Sequence, residues 1–299
     1  MRLRDDVRTM ARGWRWGHRR LDPASVEVRR PANRELPTSL VRGPVASGVR
    51  NGIHQVVLAP LLRIELRKRV YGLDRIESVD PPVVFVANHS SHLDAPLLLT
   101  SLPREWRRRC AVGAASDYFF DVMWRSFATG LVFNGFPVER KGRLRGTKLA
   151  GGLLDDGWSL ILFPEGTRSD DGLMSEFRPG AALVAHMNRV PVVPVAITGA
   201  YQAMPRGKAW PVRGRPPVSV RFGRPLRASD GETVRAFNER IRRGVAVLLS
   251  ETRTTWWDAL RGDAADELPR APDRTSARWR RVWESTRPPS GPAGAWPER

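Results

Sequence analysis

The sequence predicts an α/β fold: a single domain with a mostly parallel central sheet flanked by helices, an amphipathic helix before it, and flexible basic extensions at both ends. Three observations carry this. With 299 residues, 41% of them hydrophobic, the chain can bury one sizeable core of about 200 residues. From residue 82 to about residue 225, short apolar runs alternate with stretches of helical spacing. On either side of that region the composition turns to Arg, Pro and Trp with little periodicity.

In chain order, residues 1–50 read as a mobile basic extension. In residues 51–80, Ile53, Val57, Leu61 and Ile64 follow helical spacing, with a bend expected at Pro60 and a cluster of Arg63, Arg67, Lys68 and Arg69 at the end. Such a helix rests in a headgroup layer or packs on the core. Residues 81–260 form the main domain. Runs at 83–87, 110–114, 131–138, 160–163, 192–198 and 218–222 read as buried or half-buried strands. Helices are expected at 95–102, 146–155 and 181–188. Ser229 to Glu232 is a capping-box pattern opening a helix with Val234, Phe237, Ile241, Val245 and Leu248 on one face. Residues 261–299 read as a loose basic tail rich in Pro and Trp.

The charge is the outlier: 50 Lys and Arg against 31 Asp and Glu leave a net +19. A balance of this size calls for an anionic partner, whether nucleic acid, an anionic membrane or a phosphorylated substrate. No apolar stretch approaches the ~20 residues a spanning helix needs, so a peripheral protein without a transmembrane helix is expected. The first twenty residues are too polar for a secretory leader. Cys110 is the single cysteine, which excludes an internal disulfide and suits a reducing compartment; on a predicted strand it is expected to be buried and inert.

The chemistry gathers at Asn88-His89-Ser90-Ser91-His92-Leu93-Asp94, directly after the strand at 83–87. Ligands of α/β sheets collect at the carboxyl ends of strands. Five residues apart, His89 and Asp94 would lie about 140° apart on a regular helix, at ~100° per residue. They meet only if His89 stays in the loop and Asp94 opens the helix, and Pro96 suits a first turn. A neutral imidazole takes a proton from an alcohol, and a carboxylate on its far nitrogen fixes the tautomer. The alternative is that the pair merely caps a helix. His92 stands too close to Asp94 in sequence for an easy ring-to-carboxylate bond and reads as a structural or pocket-lining residue.

Three further stretches end strands or resemble them. Gly135-Phe-Pro-Val-Glu-Arg140 is followed by Lys141. Phe163-Pro-Glu-Gly-Thr-Arg168-Ser forms a Gly-containing turn whose backbone N–H groups and Arg168 can hold an oxyanion. Residues 190–197 are an apolar run punctuated by Pro194.

Together, in this order, the four blocks resemble the glycerol-phosphate acyltransferase superfamily, and most closely the bacterial lysophosphatidate (1-acylglycerol-3-phosphate) acyltransferases. Residues 88–94 are similar to the family's NHxSxxD block, Phe163–Ser169 to its FPEGTRS block, and Phe177-Arg-Pro-Gly180 to its short F-K-x-G element, with Arg for Lys. The resemblance covers roughly residues 80–225. It implies catalysis by His89 and Asp94, with Arg140, Glu165, Gly166, Thr167 and Arg168 as the phosphate-binding set, Glu165 orienting Arg168 or the loop. Asn88, Ser91 and Pro194 would support the site. It also implies an acyl-CoA or acyl carrier protein donor, no cofactor and no metal, a lysophospholipid acceptor, and peripheral attachment to an anionic membrane surface at the cytoplasmic face. The expected product is phosphatidate; glycerol 3-phosphate, another lysophospholipid or a glycolipid is the alternative acceptor. A nucleic-acid binder would leave the four blocks unexplained, and none is expected as partner. A serine hydrolase using Ser90 or Ser91 lacks the G-x-S-x-G elbow. A non-catalytic lipid-binding relative would not need the His89/Asp94 pair.

Overall fold

A computed structural model describes residues 42–115, 131–138, 144–208 and 210–251. The chain enters through α1 (Pro44–Gly52), a π-helical stretch (Ile53–Leu58) and α2 (Ala59–Glu65), then forms β1 (Arg67–Tyr71) and α3 (Asp74–Glu77). The alternation that follows is β2 (Val84–Ala87), α4 (Asp94–Ser101), α5 (Arg104–Arg108), β3 (Cys110–Ala115), β4 (Phe136–Val138), α6 (Leu144–Asp155) and β5 (Ser159–Leu162). It closes with α7 (Gly180–Met187), β6 (Val192–Thr198), α8 (Ala200–Ala203), β7 (Pro217–Phe222) and α9 (Val234–Ser250).

The seven strands make one sheet in the order β1-β7-β6-β2-β5-β3-β4. Neighbours are parallel except β6 and β7, which pair antiparallel. Because β1 runs with β7, these two strands at one side of the sheet are reversed relative to the other five. The central strands β2 and β5 are buried at every position, as expected of parallel strands covered on both faces. Two apolar layers result. One packs Phe85, Leu97, Leu98, Val193 and Phe222 under α2 and α4; the other packs Val84, Leu160, Phe237 and Ile241 under α6, α7 and α9.

Several local expectations change. Residues 67–69, read from sequence as the basic end of a helix, belong to β1, whose exposed-to-half-buried alternation marks an edge strand. The run at 131–138 is not one strand: residues 131–133 are helical and only Phe136–Val138 pairs with β3. The cap of α9 is Thr233, whose Oγ1 accepts the Ala236 N–H at 3.2 Å. Glu232 instead accepts from the Ser229 N–H and pairs with Arg240.

The leading helix is tied to the helical residues 131–133, just before β4, by polar side chains. Arg50 donates to the Leu131 carbonyl at 2.8 Å, and the His54 Nε2–H to the Val132 carbonyl at 2.6 Å. Its opposite face keeps Val45, Val49, Val56, Val57 and Ile64 exposed.

Candidate active site

β2 and β5 are adjacent and parallel, so their C-terminal ends deliver two loops to one place. The first runs from Asn88 to Leu93 and the second from Phe163 to Ser169. Asn88 sits just past the β2–β6 pairing and continues it with its side chain. Its amide donates to the Ile197 carbonyl at 2.9 Å and its carbonyl accepts the Ile197 N–H at 2.8 Å. The loop that follows therefore leaves the sheet from an anchored point.

Asp94 is the first residue of α4 and is fully buried, while His89 precedes it in the loop and stays partly accessible. The Nδ1 of His89 lies 2.8 Å from Asp94 Oδ2. The same oxygen accepts the N–H groups of Ser90 and Ser91 at 2.7 and 2.8 Å. Three donors converge on this one oxygen and fix the orientation of the carboxylate. The ring of His89 stacks on Phe163 with centroids 4.4 Å apart, so its plane is held from the side as well. With Nδ1 committed to Asp94, Nε2 is the nitrogen presented for chemistry.

The two loops grip each other. Glu165 Oε1 accepts the His89 N–H at 2.7 Å, and the His89 carbonyl accepts the Ser169 N–H at 2.8 Å. Glu165 Oε2 takes the Ser175 N–H at 3.0 Å. Glu165, expected in the phosphate-binding set as the residue orienting Arg168 or the loop, is 3% exposed and has both oxygens occupied by backbone donors, one of them in the loop after β2. Burial pushes its carboxyl up to about 7, the two backbone N–H bonds pulling the other way.

Gly166, Thr167 and Arg168 lie on the turn beyond β5. Gly166 has φ of 72° and makes the turn through its N–H to the Phe163 carbonyl. A Cβ there would come within 3.0 Å of the Arg178 guanidine, so Arg178 passes directly over this turn. Arg168 and Arg206 both act on the half-buried ring of His92, whose pKa is pushed down to about 4, chiefly by burial and then by these cations and His89. His92 is thus a neutral neighbour. Arg206 forms an ion pair with Asp170, and Tyr201 donates to the Asp170 carbonyl at 2.8 Å.

Ser91 supports the loop from below: its hydroxyl donates to the Met204 carbonyl at 2.8 Å. Pro194 is buried in β6 opposite Val86, where its ring fills space left by Gly223 and Gly244. Arg140 lies outside the described residues. Sequence reasoning missed Phe163 as the stacking surface, Ser175 as a Glu165 partner, and the Asp170–Arg206 pair. Phe163 could have been found by noting that an aromatic ring ending one strand neighbours a loop from the next. Among the described residues no group of three or more His, Cys, Asp or Glu side chains is arranged to hold a metal ion.

Comparison with known proteins follows the same lines. Residues 67–198 match the family model described as Acyltransferase. Over 145 residues the chain is 35% identical to a 1-acyl-sn-glycerol-3-phosphate acyltransferase of Chlamydomonas reinhardtii, covering 48% of this chain and 42% of that protein. Over 142 residues it is 34% identical to a chloroplastic enzyme of the same description from Arabidopsis thaliana, covering 46% and 38%. The aligned part thus spans less than half the length of these curated relatives. The crystal structure of the 1-acyl-sn-glycerophosphate acyltransferase PlsC from Thermotoga maritima superimposes with a TM-score of 0.53 at 26% identity, covering 69% of this chain and 84% of that one.

Proposed function

We propose that this chain, whose residues 67–198 carry an acyltransferase-family domain, moves a fatty acyl group from a thioester to the sn-2 hydroxyl of 1-acylglycerol 3-phosphate, giving phosphatidate. The observation that carries this is the His89–Asp94 pair at 2.8 Å, with Nε2 left as the base nitrogen and no protein nucleophile required. Nε2 takes the proton of the acceptor hydroxyl as its oxygen attacks the thioester carbonyl. The tetrahedral intermediate collapses, the C–S bond breaks, and the imidazolium returns the proton to the leaving thiolate. Asp94 stabilises the imidazolium through Nδ1–H. Base catalysis of this kind contributes about 10²–10⁴-fold.

Arg168, with Gly166 and Thr167, holds the acceptor phosphate, and Arg140 is assigned to the same anion. The acyl donor is acyl-CoA or acyl carrier protein. Peripheral attachment to an anionic membrane, at its cytoplasmic face, is supported by the charge of +19 and by the exposed apolar face of residues 45–64. No helix among the described residues is long and apolar enough to cross a membrane.

Purified protein is mixed with oleoyl-CoA and lysophosphatidate in anionic vesicles, and free thiol is followed beside lipid product by mass spectrometry. Phosphatidate that appears with the thiol and vanishes in His89→Ala is the expected result. Product formation unchanged in His89→Ala would sink the mechanism, and thiol release without phosphatidate would sink the acceptor.

A further inference from the structure

We infer that the loop 205–216, between α8 and β7, is a second lipid-contacting element that seats on an anionic bilayer beside the leading helix. The inference rests on the membrane reading above and adds a contact that the helix does not supply.

The loop reads Pro-Arg-Gly-Lys-Ala-Trp-Pro-Val-Arg-Gly-Arg-Pro: four cations, one Trp and no acid. Trp210 is 56% and Val212 40% exposed. Apart from Tyr71 and Met187, every exposed large apolar side chain among the described residues lies either on this loop or on residues 45–64. Apolar residues left to solvent in two clusters of this kind mark a contact surface. Trp among Lys and Arg has the chemistry of a membrane interface: the indole enters the headgroup boundary while the cations meet lipid phosphates.

Topology places the two segments together. Since β7 is antiparallel to β6, its start (Pro217) lies at the end of the sheet where β6 finishes. Since β1 runs parallel to β7 with Arg67 opposite Pro217, the exit of α2 lies there too. That is the end carrying the catalytic loops. Hydrogen bonds join the segments directly: Arg215 donates to the Arg63 carbonyl at 2.8 Å, and Arg67 Nε to the Arg215 carbonyl at 3.0 Å. At its other end the loop is held by the Val212 N–H on the Ala203 carbonyl. One residue on, the Met204 carbonyl receives Ser91 from the catalytic loop. The charge favours a lipid occupant over a second copy of this chain, because two such loops would repel.

Cys110 is buried and burial raises its thiol far above the ordinary range, so a cysteine introduced elsewhere can be labelled selectively in the full chain. An environment-sensitive thiol probe is placed at Trp210→Cys and, separately, at Val57→Cys on the helix, and each protein is titrated with phosphatidylglycerol or phosphatidylcholine vesicles. Both probes are expected to shift to the blue with phosphatidylglycerol. The doubly reversed variant Lys208→Glu/Arg213→Glu is expected to bind vesicles at least roughly tenfold more weakly. A response at 57 with none at 210 would overturn the loop's role and leave the membrane reading intact; silence at both would remove that reading as well. An equal response to phosphatidylcholine would overturn the anionic occupant. A shift at 210 that follows protein concentration without vesicles would assign the surface to self-association instead.

Discussion

At the scale of single residues, the His89–Asp94 contact was legible because its logic is local: five positions, one loop and one helix start contain it. The backbone partners of Glu165 were not, because one of them is an N–H group 76 positions away. Replacing Glu165 by Gln substitutes an N–H donor for an acceptor against one of two backbone donors. Glu165→Gln is therefore expected to lower kcat at least tenfold with little change in acceptor KM, as befits a positioning residue. Arg168→Ala is expected to do the reverse, raising the KM for lysophosphatidate. A pair of steady-state titrations separates the two. The shifted groups also make a pH prediction. Glu165 keeps its proton in the fold up to about pH 7, whereas the unfolded chain loses it near 4.5, so this group's contribution to stability falls as pH rises between those values. His92 has the opposite sign. The unfolded chain takes up a proton below 6.5 and the fold refuses one until about 4, so stability is lost as pH falls through that window. Urea unfolding across this range should show Glu165→Gln gaining on the parent as pH rises, and His92→Gln gaining as it falls. Differences independent of pH would refute both assignments.

At the scale of elements, the six strand positions read from sequence reappear as β2 to β7, four with small shifts of boundary, one unchanged and one much shortened. They were visible because parallel strands buried on both faces are uniformly apolar. β1 was invisible for the converse reason: Arg67, Lys68 and Arg69 fill an edge strand that needs only one buried face, and charge there discourages pairing with another chain. The cap of α9 is Thr233 and not Ser229, although Glu232 still accepts the Ser229 N–H beside its pair with Arg240. How firmly a loop is aimed depends on such joints. Asn88 carries the β2–β6 joint with two buried hydrogen bonds to Ile197. Asn88→Ala strands a backbone N–H and a carbonyl, at a cost of about 2 kcal/mol. Calorimetry is expected to register this as a fall in Tm of several degrees. An unchanged Tm would mean that water replaces the amide.

For the whole molecule, the net charge of +19 predicts that attachment to anionic vesicles weakens with salt. Raising ionic strength from about 0.1 M to 1 M shortens the screening length from ~10 Å to ~3 Å. Co-sedimentation should therefore drop over that range while a residual, apolar part persists through Val56, Val57 and Ile64. Retention unaffected by salt would argue that the charge plays no part in attachment. Composition pointed to an anionic partner without choosing one. The proposed choice of a membrane rests on the arrangement of exposed apolar side chains, which depends on tertiary packing no residue pattern displays. The reversal of β1 and β7 has a kinetic consequence for the proposed acyl transfer. It brings α2 and the start of β7 to the end of the sheet where His89 and Asp94 lie, so under the proposed function the site faces the lipid surface from which the acceptor is drawn and into which its product returns. Turnover then obeys two-dimensional concentration. Diluting lysophosphatidate with inert anionic lipid at constant bulk amount should slow the enzyme, and diluting the whole suspension with buffer should leave the rate per bound enzyme unchanged.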